Sequence, residues 1–272
     1  MTDSPDTGQD NPVTILISAA VAGIITGVLC SFLRGAIGYL IQIRQSYLVS
    51  DGNSDAGSIV ILLSASTLMS VVAAWLVFRL APEARGSGIP EVEGAIEGLR
   101  TVRWWRIMPV KLAGTICTLS AGMVLGVGGP SVQLGASSGQ MVHELCRFQD
   151  RRSHHMLMVC GTAAGMAAAF NAPLAGILFV VAEEMLPDVH YSFISFKAVI
   201  IATITATITC RLLHGNSPLF ALPQCHHLPL SALPLVIIMG MICGLVGVVF
   251  NHMVVIVRHA FVLFHRDNPG YY

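Results

Sequence analysis

Three short stretches of this chain have residue types and spacings that could do chemistry. The first two would do it mainly through backbone. Gly86-Ser87-Gly88-Ile89-Pro90-Glu91 joins Ser, a favoured helix N-cap, to a Pro suited to a helix's first turn. Its glycines let the backbone come close to a ligand. The stretch reads as a helix start at Ser87, Gly88 and Ile89, whose free N–H groups and positive dipole end suit an anion. An ordinary capped helix start has the same residues. Gly126-Val127-Gly128-Gly129-Pro130 repeats the device ahead of a helical run, 131–146. Two such starts strengthen the anion reading, because half-helix N-termini pointed at an anion near the midplane are a transporter device. The third stretch, Phe170-Asn171-Ala172-Pro173-Leu174-Ala175-Gly176, opens an apolar run that ends in Glu183-Glu184. Carboxylates at the end of an apolar helix are expensive unless they face water or a partner. They read as a proton-accepting group at a pathway mouth or as a solvated helix end.

The elements that must position these groups are membrane helices. The chain has 272 residues, 54% hydrophobic and 11% charged, where soluble domains carry about 25% charge. Its mean hydropathy is +0.72. These values indicate an all-α polytopic membrane protein. Apolar stretches lie at 13–43, 57–81, 107–127, 156–182, 192–213 and 232–264, most of them long enough to span a bilayer. Two regions break the pattern and predict short or re-entrant helices: 83–106, rich in charge, and 126–150, which begins Gly-rich and becomes amphipathic. Such breaks imply a cavity or a pathway, because freed backbone groups need protein or water around them. GxxxG spacings at Gly23/Gly27, Gly122/Gly126, Gly161/Gly165 and Gly240/Gly244 predict close helix packing. The polar, acidic residues 1–12 lack a basic n-region and read as a disordered tail; 265–272 form a second tail.

Charge and spacing exclude other classes. Lys plus Arg number 15 and Asp plus Glu 15, so no net charge points to a nucleic acid. The seven cysteines form no CxxC pair and read as small buried hydrophobes. Gly135-Ala136-Ser137-Ser138-Gly139 fits GxSxG, but no strand precedes it, and His154 and His155 fall at a loop. An enzyme is not expected. The GK[ST] ending of a phosphate loop is absent. Adjacent histidines, 154/155 and 226/227, seldom chelate one ion, so neither metal nor cofactor is expected. Arg85, Arg100, Arg103 and Arg106 cluster in one connection, and Arg147, Arg151 and Arg152 in another. If the two helical runs between the clusters go out and back, both clusters lie on one side, cytoplasmic by the positive-inside rule.

In order, "APEARGSGIPEVEGAIEG" (81–98), "VRWWRIMPVKLAG" (102–114), "GMVLGVGGPSVQLG" (122–135) and "GTAAGMAAAFNAPLAGILF" (161–179) make the chain resemble the CLC family of chloride channels and proton/chloride exchangers, bacterial exchangers above all. The resemblance extends over nearly the whole chain. It implies a transmembrane domain of broken, tilted helices over 13–264, with a first inverted repeat over about 13–213 and the start of a second over about 232–264. It also implies a multi-pass homodimer in a bacterial inner membrane, each subunit with its own chloride path. Ser87 matches the family's chloride-coordinating serine at a helix start. Residues 126–130, with Gly128, Gly129 and Pro130, match the second helix start whose N–H groups face the ion. One of Glu183 and Glu184 matches the internal proton-transfer glutamate. Counting from Asn171 selects Glu183; aligning on "EEM" selects Glu184, with Ala182 inserted. One inserted residue rotates a helix by about 100°, and Glu183 is favoured because "FNAPLAGILF" sets the phase.

Two departures shape the expected function. The family's exchangers read G[KR]EGP where this chain reads GVGGP. Val127 replaces the basic residue, and Gly128 replaces the glutamate that gates the outer end and carries a proton. Chloride movement uncoupled from protons is expected. The family's later GxFxP helix start and inner tyrosine also have no counterpart in the sequence; Tyr271 and Tyr272 come after a charged tail. The alternative expectation is a truncated half-transporter with no transport of its own.

Overall fold

A computed structural model describes residues 11–49, 56–184, 193–215 and 232–267. The described residues fold into helices α1 (Pro12–Val49), α2 (Ala56–Leu80), α3 (Ile89–Ile96), α4 (Trp104–Ser120), α5 (Gly128–Leu145), α6 (Arg151–Phe170), α7 (Pro173–Phe179), α8 (Phe193–His214) and α9 (Leu233–Asp267). A 3₁₀ turn, Pro82–Ala84, precedes α3, and a π turn, Val180–Glu184, continues α7. Among the described residues, four helices are long and apolar enough to cross a membrane, at Pro12–Tyr47, Ile59–Leu80, Phe193–His214 and Leu233–Ala260. The chain divides into two units, Met1–Leu219 and Phe220–Tyr272. The second holds α9, apolar along most of its length. His226 and His227 lie outside the described residues, as does the N-terminal tail up to residue 10.

The core of the first unit is built on small residues. Gly135 in α5 faces Gly161 in α6, so that a Cβ on either would overlap the other's carbonyl oxygen. Gly165 presses on Ser131 and Gly139 on Leu157 in the same seam. Gly23 and Gly27 do the same for α1 against Ala202 and Ala206 of α8. Without a water-driven hydrophobic force in lipid, close backbone approach and van der Waals contact hold such helices together. Two of the GxxxG spacings are therefore packing seams. The pair at 122/126 is not: Gly122, at φ +95°, ends α4, and a Cβ on Gly126 would meet nothing within 4 Å.

Several sequence expectations change in detail. The apolar stretch 107–127 is not one helix, because α4 stops at Ser120, where Met123 N donates to Thr118 O (3.2 Å). The stretch 156–182 divides between α6 and α7. Asn171 caps α6 in the left-handed region (φ +54°), Ala172 is extended, and Pro173, which has no N–H, begins α7. In the run 126–150 every residue of α5 from 130 to 139 is buried, and exposed positions of α5 appear only from Glu144 onward. Helices α1, α3, α4 and α6 all pack on α5. Residue 265 onward is not all tail, since α9 runs to Asp267.

Candidate functional site: two helix starts in contact

Local sequence shapes each helix start. Gly88 rather than Ser87 holds the N-cap position of α3, at φ +96°, where a side chain would be strained. Ser87 stands one residue earlier and is exposed. The first backbone bond of α3 runs from Val92 N to Gly88 O (3.0 Å), and no side chain caps the start. Pro90 brings no N–H, so the amides of Ile89 and Glu91 stand outside the helical ladder. The start of α5 obeys the same logic. Val127 caps it without a side-chain bond, and Ser131 N donates to Val127 O (3.0 Å). Pro130 again brings no N–H, and the amides of Gly128 and Gly129 stand outside the ladder.

Tertiary packing brings these two starts together. A Cβ on Gly129 would lie 2.5 Å from Ser87 O, so only glycine lets α5 approach so closely. A Cβ on Gly88 would lie 2.7 Å from Gln133 Oε1. Two further side chains hold the loop before α3. Lys111, buried in α4, donates from Nζ to Ala84 O (3.1 Å) and Gly86 O (2.8 Å). Gln133, buried in α5, donates from Nε2 to Glu83 O (2.9 Å). A buried cation thus backs the Ser87 loop. Sequence reasoning assigned no role to Lys111 or Gln133. The signal was available for Lys111: a lone lysine in an apolar run is costly without a fixed acceptor.

Gly128 differs from Gly129. Its backbone is ordinary helix, and a Cβ there would touch the Phe170 ring at 3.6 Å, a normal contact. Nothing in packing demands glycine at 128. Phe170 closes α6 just ahead of the Asn171 break, so the third sequence stretch does reach the second. Glu183 and Glu184 end the π turn Val180–Glu184, in which five residues take the place of an ordinary helical turn.

Beside the contact, a cavity of about 400 Å³ is lined by Glu83, Glu91, Arg100, Val102, Gln133 and Ser137 among others. Arg100 pairs with Glu91 at it. Gln133 Oε1, Ser137 Oγ and Glu83 Oε2 are buried without a partner among the described residues, which makes the cavity suited to water. Ser137 sits inside α5 with no histidine bonded to it among the described residues. His154 Nε2 instead contacts Gln140 Oε1.

The chain matches the family described as voltage gated chloride channel over residues 69–270. It is 42% identical over 265 residues to the H(+)/Cl(-) exchange transporter ClcA of Vibrio parahaemolyticus, covering 96% of this chain and 56% of that protein. The ClcA of Citrobacter koseri is 44% identical over 254 residues, covering 93% and 54%. The chain thus spans about half the length of the relatives it matches. Among solved structures it is similar to a slow cyanobacterial Cl-/H+ antiporter, with TM-score 0.79, 34% identity, and 88% of this chain and 56% of that one covered. A eukaryotic CLC transporter shares the fold, with TM-score 0.76 at 19% identity, covering 96% and 46%.

Proposed function

Because the chain belongs to the voltage gated chloride channel family, we propose that its two helix starts line an anion path for chloride. The observation that carries this is the contact between Ser87 and Gly129, which sets two uncapped helix N-termini side by side with a buried lysine behind one of them. Donor groups and positive dipole ends then converge on one place, and an anion is what they suit. The path is a passive one. Gly128 carries no group to block it or to move a proton, and packing does not explain glycine at that position. The chain works as a multi-pass protein of a bacterial inner membrane, with a second copy of itself as partner, as the resemblance implies.

The π turn supports aligning the carboxylates on "EEM". A turn that takes one extra residue absorbs Ala182 without rotating the residues beyond it. On that reading Glu184, rather than Glu183, occupies the position of the family's internal proton-transfer glutamate. Without a carboxylate at 128 it has no partner across the path to exchange protons with.

Reconstitution in liposomes under a chloride gradient tests the proposal. Chloride efflux above that of empty vesicles, with no accompanying proton movement, is the expected result. Flux that moves protons in fixed ratio overturns the uncoupled reading, and no flux overturns transport by this chain alone.

A further inference from the structure

We infer that Arg34, from α1, supplies the positive charge at the start of α5 that position 127 does not bring, and that it thereby sets how tightly an anion is held there. The inference rests on the anion-path reading above and names a residue that neither helix start contains. A second cavity, of about 120 Å³, is lined by Arg34, Val127, Ser131, Leu33, Ile37 and Ala168 among others. Arg34 and Val127 therefore share one cavity at the first turn of α5. Val127 itself packs into the apolar cluster of Leu33, Ile37 and Leu134, which explains an apolar residue at that position. Leu33 and Ile37 flank Arg34 on α1, so the same stretch of helix that receives Val127 presents the guanidinium.

The guanidinium is held in place. Arg34 Nη2 donates to Ala168 O (3.2 Å) and Ala169 O (2.6 Å) in the last turn of α6. A helix's carbonyl end carries only about half a negative charge, so this tether does not cancel the arginine. No carboxylate lies within ion-pair distance of Arg34 among the described residues. The remainder is net positive charge at a cavity walled by the first turn of α5, whose N-terminal end is itself positive. An anion is the ligand that relieves such an arrangement. The interaction acts through a medium of low effective dielectric, where one charge several ångströms away is felt strongly.

Two roles are open to Arg34, an end cap for α6 and a charge for the α5 start, and they are separable. The test is chloride binding to the purified full chain in gluconate buffer, read by isothermal titration calorimetry, with unfolding temperature in parallel. Arg34→Gln is expected to weaken chloride binding about tenfold, the order of one charge acting at an effective dielectric near 20. Arg34→Lys should retain most of the affinity. Adding Val127→Arg to Arg34→Gln should restore it, whereas adding Val127→Gln should not. Val127→Glu alone, which leaves the tether to α6 intact and places a carboxylate in the cavity, should cost as much as Arg34→Gln and keeps the test open if the glutamine variant does not fold. Wild-type affinity in Arg34→Gln or in Val127→Glu overturns the inference and leaves the anion path standing. A lower unfolding temperature in gluconate with affinity unmoved overturns it too, by making Arg34 a cap alone. A wild-type chain that binds no chloride overturns the anion path, and the inference with it.

Discussion

The carbonyl oxygen of Ser87 sits where a side chain on Gly129 would have to begin, 2.5 Å from an added Cβ. The two helix starts, 42 positions apart in the chain, are in backbone contact. Gly129→Ala must push them apart and is expected to cost about 1–3 kcal/mol, the usual range for overpacking. Gly126→Ala, with nothing within 4 Å of its Cβ, should stay within about 0.5 kcal/mol of wild type. Unfolding temperatures of the two variants in detergent check the contrast. Equal losses would show that the contact is not as drawn.

At Gly128 the expectation is opposite for stability and larger for function. The helical backbone and the 3.6 Å approach to the Phe170 ring accept a side chain. Gly128→Glu should therefore fold like wild type. Under the anion-path reading, the new carboxylate closes the path when charged and opens it when protonated. Chloride flux in liposomes should then fall near neutral pH and recover on acidification. Flux that ignores both the substitution and the pH would place residue 128 off the path.

The α5–α6 seam sets the tolerance of the core. Gly135 and Gly161 each lie against the other's backbone carbonyl, and backbone cannot swing aside as a side chain can. Alanine at either position is expected to cost about 3 kcal/mol or more and to abolish a monodisperse product on size exclusion. Gly38→Ala on α1, which meets nothing within 4 Å, is the matched control and should behave as wild type.

Acid should loosen one end of the bundle. His154, in the first turn of α6 and outside the membrane spans, touches His143 edge-on at 4.9 Å between ring centroids. Gln140, in contact with His154, donates to Glu144 Oε1 (2.7 Å), whose Oε2 accepts from Trp104 Nε1 (2.7 Å). The starts of α4 and α6 are thereby tied to the end of α5. Burial, then the neighbouring His143 and His155, holds the His154 pKa below its ordinary 6.5, with Glu144 opposing. The unfolded chain thus takes up the proton first as pH falls. Stability contributed by neutral His154 is full above about 6.5 and is lost as pH drops from there toward the folded value. Unfolding temperature should fall over that window in wild type and fall less in His154→Gln. Parallel curves would mean that other groups carry the acid sensitivity.

Much of this was legible from local pattern. The span helices announce themselves by length and apolarity, because a bilayer leaves few other solutions. Gly-Pro and Ser-Gly-Ile-Pro mark helix starts because proline and glycine act on the backbone within one or two residues. The Asn171 break is of the same kind. The family's motifs carried the resemblance to the family, and the 69–270 match agrees with it. The cap assignment went astray at Ser87, because a serine's preference for the N-cap yields where the turn requires positive φ, and only Gly88 meets that demand without strain.

What the sequence determined by itself was a set of helices, their interruptions, and which starts leave donors free. Each depends on interactions within a few residues. What only the tertiary structure decided was which of those starts meet and what stands behind them. The reciprocal overlap of Gly135 and Gly161, the reach of Lys111 to Ala84 and Gly86, and the shared cavity of Arg34 and Val127 join residues from 25 to 93 positions apart. No local spacing encodes such distances. They arise from close packing of backbone against backbone, which fixes one mutual placement of the helices and so chooses which polar groups face each other.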